Sequence, residues 1–301
     1  MSIHYNLHHT DAFTATLFGG NPTATITNSD TLSDEKMKKI AIEMNLSESG
    51  FVLKSDRADF RLRYFTRGGD EINFCGHATV GALCALLKEK KFGMDKPGKY
   101  SYQVETGSGI LPMSIDSTDS KHPEYIIESP RIELVNAPYS LEELTSAMKI
   151  PKHLVDWNKP LLLEKTSGYL YFAVPSLEKL GQLQIDFNST AQFQAKGPHV
   201  IICALTAESF DSKNHAHARG YAPLVAIPED PFTGSMQGGL AAYLMQNKMV
   251  KEDIQQINTE QGHFIGRPGE VELHITHKPS LKIQLFAQAV HVYSTTLTLG
   301  T

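Results

Sequence analysis

Two short segments concentrate the residue types that could do chemistry. In Phe74-Cys75-Gly76-His77-Ala78-Thr79 a polar turn with glycine opens an apolar helical run. A helix start carries N–H groups without intrahelical partners and a partial positive charge, so it attracts carboxylates and phosphates. His77 falls at that mouth, where it could move a proton or simply cap the helix. Cys75 could act as a nucleophile or proton carrier, because a helix start lowers a thiol's pKa. A small buried apolar role is the reading we favour for it. In Glu229-Asp230-Pro231-Phe232-Thr233-Gly234-Ser235 two acids and a proline precede a second helix start. Asp230 reads as a base or an orienting carboxylate, and the Thr-Gly-Ser backbone as a second anion cradle. Ordinary capping by Thr233 or Ser235 is the plainer explanation. In Asn45-Leu46-Ser47-Glu48-Ser49-Gly50-Phe51, Glu48 lies between a helix and a strand; a glutamate so placed is usually just solvated. Gly19-Gly20-Asn21-Pro22 reads as a turn.

These residues need elements to hold them. Phe13–Phe18 and Thr23–Thr27 read as strands around that turn. The first ten residues are too polar to score. Ser33 marks a helix start, with Met37, Ile40, Ala41 and Met44 at helical spacing. Phe51–Leu53 and Phe60–Phe65 are strand-like. Val80, Leu83, Cys84 and Leu87 fall on one helical face, and Lys88-Glu89-Lys90-Lys91 closes that helix. Met236, Leu240, Tyr243 and Leu244 do the same in a helix closed by Asn247-Lys248. Strands interleaved with helices point to an α/β or α+β layout. A shift of 156 residues lays Phe65 on Tyr221 and Thr79 on Ser235, which suggests two copies of one unit. Asp116–Pro123 is the best candidate for a linker or long turn.

Composition narrows the class. The chain has 301 residues, long enough for two domains and a core without staples. It is 41% apolar and 20% charged, which excludes disordered and fibrous classes. A net charge of −5 argues against a nucleic-acid or anionic-membrane partner. Three scattered cysteines without a CxxC pair make a disulfide scaffold or zinc ribbon unexpected. His8-His9, His215-x-His217 and His274-x-x-His277 lack a matched third ligand at a recognised spacing, so no metal is expected. Nucleotide loops and serine-hydrolase elbows are absent from the sequence. The apolar run Ala78–Leu87 is too short to span a membrane, and the N-terminus does not read as a signal peptide. The expected location is the cytoplasm.

Taken together, the motifs resemble the PhzF family, phenazine biosynthesis-like proteins of the diaminopimelate epimerase-like fold. Asp11-Ala12-Phe13-Thr14 with Gly20-Asn21-Pro22, the Asn45–Val52 segment, and Arg63–Thr66 with Glu71–Gly81 carry the resemblance. Glu229–Ser235, Glu260-Gln261-Gly262 and Gly266-Arg267-Pro268-Gly269 complete it. The resemblance implies two similar domains, each a mixed, barrel-like sheet around a central helix, with the active site in the cleft between them. On it we expect domains of residues 1–120, joined by a final strand at 289–301, and 121–288.

The resemblance also implies a cofactor-free isomerase in which Glu48 is the acid/base residue, with His77 and Asp230 as companions. Asn21, Ser47, Gly76, Gly234 and Ser235 are the implied substrate-binding positions. The implied partners are a small carboxylate-bearing substrate and a second copy of the chain. Cys75 occupies the place of the first cysteine of two-cysteine epimerases, while the segment from Glu229 to Ser235 has no second one. A cysteine-dependent epimerase, racemase or dehydratase is therefore one alternative, and a non-catalytic metabolite-binding protein another. Two departures from the family pattern bear on the substrate: Arg67-Gly68-Gly69 stands where a proline often follows Tyr-Phe-Thr, and Met236 where a small residue is usual.

Overall fold

The computed structural model describes residues 2–129, 131–197, 199–277 and 281–300. The chain forms two compact units, one of residues 1–128 and 285–301, the other of residues 129–284. The first contains β1 (Ser2–Ala12), β2 (Asn21–Ile26), α1 (Asp34–Met44), β3 (Glu48–Leu53), β4 (Phe60–Thr66), β5 (Glu71–Ile72), α2 (Gly76–Lys88), β6 (Lys99–Thr106), β7 (Gly109–Asp116) and β8 (Glu124–Glu128). The second contains β9 (Leu134–Asn136), α3 (Leu141–Met148), β10 (Leu162–Glu164), β11 (Leu170–Ala173), α4 (Leu177–Gly181), α5 (Phe187–Gln194), β12 (Ile202–Thr206), β13 (Ala216–Ala222), β14 (Ile227–Asp230), α6 (Gly234–Gln246), β15 (Gln256–Gln261) and β16 (Gly269–Thr276). β17 (Lys282–Ala287) follows, and β18 (Ala289–Gly300) pairs antiparallel with β1 in the first unit.

The units repeat one pairing order. In the first, β1–β2 is antiparallel, β2–β3 parallel, β3–β4 and β4–β5 antiparallel, β4–β6 parallel and β6–β7 antiparallel. In the second, β10 to β16 run through the same signs in the same order. Each places a helix of 13 residues after its two-strand hairpin, α2 after β5 and α6 after β14. The fold is that of the diaminopimelate epimerase-like proteins, a mixed α/β sheet around a central helix in each unit.

The helix registers correct the 156-residue shift. Both helices begin on glycine, so Gly76 matches Gly234 and His77 matches Ser235, an offset of 158. The apolar pattern misplaced the register because both helices are buried on nearly every side. α2 is buried from Gly76 through Leu86. A helix wrapped by sheet needs no polar face, so its side-chain stripe no longer fixes phase.

The start of the chain also differs from expectation. The polar first residues form β1, which buries Tyr5, Leu7, His8, Thr10 and Asp11. Phe13–Phe18 is a loop instead of a strand, since Phe13 and Phe18 both take left-handed backbone (φ 62° and 67°). The Phe18 N–H donates to Asp11 Oδ2 at 2.8 Å and closes the loop. Asp116–Pro123 proves to be the connection of the antiparallel β7–β8 hairpin. Ser33 caps α1 by accepting from the Lys36 N–H. No helix among the described residues is long and apolar enough to cross a membrane.

Two equivalent glycines let the sheets close on the helices. A Cβ on Gly81 would stand 2.2 Å from Thr23 Cγ2, and one on Gly239 would stand 2.2 Å from Tyr171 Oη. Gly81→Ala and Gly239→Ala should therefore each cost about 1–3 kcal/mol of stability, the usual range for overpacking a core. Urea unfolding checks this, and an unchanged midpoint would show that the sheets can step back.

Candidate active site

The first unit gathers five of the expected residues around one imidazole. His77 is the second residue of α2 and is buried. Asn21 opens β2, Ser47 closes the turn after α1, and Glu48 opens β3. The pairing of β2 with β3 and the passage of α2 against both bring these ends together. Glu48 Oε2 lies 3.3 Å from His77 Nε2. Ser47 Oγ lies 3.3 Å from the same nitrogen and 3.4 Å from Asn21 Oδ1. Asn21 Nδ2 lies 3.3 Å from His77 Nδ1.

These contacts have a direction. The Ser47 hydroxyl donates to Asn21 Oδ1, and the Asn21 amide donates to Nδ1. That leaves Nε2 as the protonated ring nitrogen, facing Glu48 and Ser47; the network assigns this tautomer. Burial pushes the His77 pKa down to about 3, so the ring is neutral at physiological pH. Thr23 Oγ1 donates to the Glu48 carbonyl at 3.0 Å and fixes the start of β3. Gly76 is the first residue of α2, whose N-cap residue, Cys75, makes no side-chain cap bond. Thr79 Oγ1 instead donates to the Cys75 carbonyl at 2.7 Å and accepts from Tyr64 Oη at 2.7 Å. Buried Tyr64 thus pins the helix start from behind while the first amides stay available to an anion.

Cys75 is buried, and its Sγ lies 3.4 Å from His77 Nδ1. Ligand atoms of Glu48, Cys75 and His77 lie within 4.8 Å of one another. The same three groups that can exchange protons thus form an O, S, N donor set of the kind a thiophilic cation accepts.

The second unit holds the other three residues, with Asp230 alone of them built into a hydrogen-bond network. Asp230 ends β14 and is buried. Its Oδ2 accepts from Thr233 Oγ1 at 2.6 Å. Gln261 Nε2 donates to the Asp230 carbonyl at 2.8 Å, and Gln261 Oε1 accepts the Thr233 N–H at 3.1 Å. Gln237 donates to Gln261 Oε1 at 3.1 Å and accepts from Thr259 Oγ1 at 2.8 Å. Thr233 is the N-cap of α6 yet spends its hydroxyl on Asp230, so α6, like α2, starts at a glycine with no side-chain cap. Ser235, partly exposed, lies 3.2 Å from Tyr169 Oη.

Sequence reasoning did not single out Thr233, Gln237, Gln261 or Tyr169 as members of these networks. Gln261 lies within a quoted motif, but its role depends on β15 lying beside β13, which no local signal shows. Glu229, the neighbour of Asp230, is held elsewhere: Arg219 grips it with bonds of 2.9 and 2.6 Å.

A family model described as PhzC-PhzF, phenazine biosynthesis-like protein, matches residues 10–295. The chain belongs to the PhzC-PhzF family. An uncharacterized isomerase of Clostridium acetobutylicum is 33% identical, covering 98% of this chain and 99% of its own. The trans-2,3-dihydro-3-hydroxyanthranilate isomerase of Pseudomonas aeruginosa is 29% identical over 87% of each. A PhzF-family phenazine biosynthesis protein of Bacillus anthracis superposes with a TM-score of 0.87 at 28% identity, covering 98% and 99% of the two chains. A hydroxyproline epimerase of Agrobacterium vitis shares the fold alone, with a TM-score of 0.62 at 12% identity over 98% and 91%. The chain is thus a PhzF-family isomerase.

The buried neutral imidazole has a consequence for stability. His77 folds with its pKa near 3, below the ordinary 6.5. Between those values the unfolded chain takes a proton that the folded chain refuses, so stability falls as pH falls. From pH 7 to pH 5 the wild type should lose about 2 kcal/mol more than His77→Gln. Urea unfolding at both pH values measures this; equal losses would mean that His77 takes its proton freely in the fold.

Proposed function

We propose that this PhzF-family protein is a cofactor-independent isomerase that moves a proton within a small carboxylate-bearing metabolite, with Glu48 as the acid/base group. The observation that carries this reading is Glu48 Oε2 at 3.3 Å from the Nε2–H of a buried, neutral His77 beside an uncapped helix start. A proton shift between carbons needs one group that takes a proton and returns it nearby. A carboxylate shielded from water can do both. His77 orients that carboxylate, while Asn21 and Ser47 hold His77. The α2 amides from Gly76 onward meet negative charge as it gathers on the substrate.

The second unit offers a helix start at Gly234, the Ser235 hydroxyl and the Asp230 carboxylate. We assign the first two to binding a substrate carboxylate and Asp230 to a companion role in proton transfer. The relative that acts on trans-2,3-dihydro-3-hydroxyanthranilate supports a carboxylate substrate and an isomerisation.

One observation keeps a thiol reading in view, Cys75 Sγ at 3.4 Å from His77 Nδ1. A two-thiol exchange would need a second cysteine at the matching position of α6, and that residue is Thr233.

Deuterium uptake from solvent, followed by NMR on a panel of small carboxylates that includes trans-2,3-dihydro-3-hydroxyanthranilate, tests the assignment. Glu48→Gln should slow the exchange by about 10²–10⁴-fold, the usual worth of a general acid/base. Cys75→Ala should stay within a few-fold of wild type. Full turnover in Glu48→Gln would end the proposal, and an inactive Cys75→Ala beside an active Glu48→Gln would establish the thiol reading.

A further inference from the structure

A second cluster of proton- and metal-binding groups lies in the second unit and shares no residue with the proposed catalytic set. His217 on β13 and Glu260 on β15 are direct partners in the parallel pairing of those strands. Both side chains therefore leave the sheet on one face. His263, three residues beyond Glu260, returns over them in the turn that follows β15. His217 Nε2 lies 3.2 Å from His263 Nδ1, and donor atoms of all three residues lie within 4.8 Å of one another. Ligands around a tetrahedral zinc ion, with bonds of roughly 2.0–2.1 Å, stand about 3.3 Å apart. The two imidazoles already have that separation.

The charge at this place is unbalanced. Glu260 is 1% exposed. Its oxygens accept from the Phe210 N–H, from the Asp211 N–H at 3.3 Å and from Asn214 Nδ2 at 3.0 Å. All of these donors are neutral. Among the described residues, the only basic group within 4 Å of the carboxylate is His263, at 3.9 Å. Lys213, next to Asn214 in the chain, pairs with Asp211 and Glu270. A buried carboxylate without a cation is costly.

The surroundings fix the ligands. Phe210 stacks on the His263 ring at 4.5 Å and 15°, and Phe264 lies against His217 at 5.1 Å. The three N–H donors orient the Glu260 carboxylate. Such second-layer contacts are what position metal ligands. Sequence spacing had paired His217 with His215, but strand pairing gives it Glu260 and His263 instead.

We propose that His217, Glu260 and His263 form a binding site for one divalent transition-metal ion, zinc by the chemistry of two imidazoles and one carboxylate. The ion neutralises Glu260 and ties β13, β15 and the following turn together. Gln261, which holds Asp230 and Thr233, lies in that tied segment.

Cobalt titration of the protein, first stripped with a chelator, tests this. One equivalent of Co²⁺ should bind, with visible d–d bands and no thiolate charge-transfer band. The spectrum should survive in Cys75→Ser, which separates the site from the Glu48, Cys75 and His77 donor set. His263→Ala, and His263→Gln as a milder change in the same exposed turn, should weaken binding at least about tenfold. No uptake of Co²⁺ or Zn²⁺, unchanged affinity in both His263 variants, or loss of the signal in Cys75→Ser would each overturn the proposal.

Discussion

The burial of one short helix on all sides governs each unit. A helix enclosed by a mixed sheet gains apolar burial around its whole circumference, and in return it has no free flank. Gly81 and Gly239 meet that demand at equivalent positions, where the sheet comes too close for a Cβ. The enclosure also decides where polarity can go. A buried helix can present charge-seeking groups only at its ends, and in both units the start begins with glycine and lacks a side-chain cap. Anion-binding capacity is thus a by-product of how the fold packs, and the residues around each start adapt it to a use.

In the first unit the adaptation is a neutral histidine. An exposed imidazole beside a glutamate would titrate near physiological pH and form an ion pair. Here burial keeps the ring uncharged, and Asn21 occupies Nδ1, so the ring can only present an N–H toward Glu48. In the function proposed above, His77 thus orients the carboxylate without cancelling its charge. A protonated histidine at that distance would hold the carboxylate as a fixed ion pair and make it a poorer base.

How much of this was readable in the sequence depends on how local each signal was. The two helix starts were legible because glycine-containing polar turns before apolar runs are local features. β4, β3 and α1 were legible for the same reason. The strand expected over Phe13–Phe18 failed because a run of apolar residues does not reveal left-handed backbone at both ends. β1 was missed because it buries polar side chains, His8, Thr10 and Asp11 among them, so its burial leaves no apolar pattern. Glu48 read alone as a solvated loop residue; only the order of motifs along the chain raised it, and only the pairing of β2 with β3 carries it to His77. The clusters built from β13 and β15 were illegible, because parallel neighbours are joined by long connections and leave no mark in spacing.

The two helix starts also show how a duplicated unit comes to divide labour. Cys75 and Thr233 occupy the same N-cap position. A thiol there sits beside an imidazole, whereas a threonine hydroxyl, which does not ionise near neutral pH, is committed to Asp230. The second start thus offers no thiol. Each start has a carboxylate near it: Glu48 lies 3.3 Å from His77 Nε2, and Asp230 accepts from Thr233, whose own N–H donates to Gln261. His77 sits among the polar side chains of Asn21 and Ser47, while Thr233 is bonded at both its backbone N–H and its hydroxyl. Under the function proposed above, Glu48 carries the proton, and Asp230, committed to Thr233, is its companion.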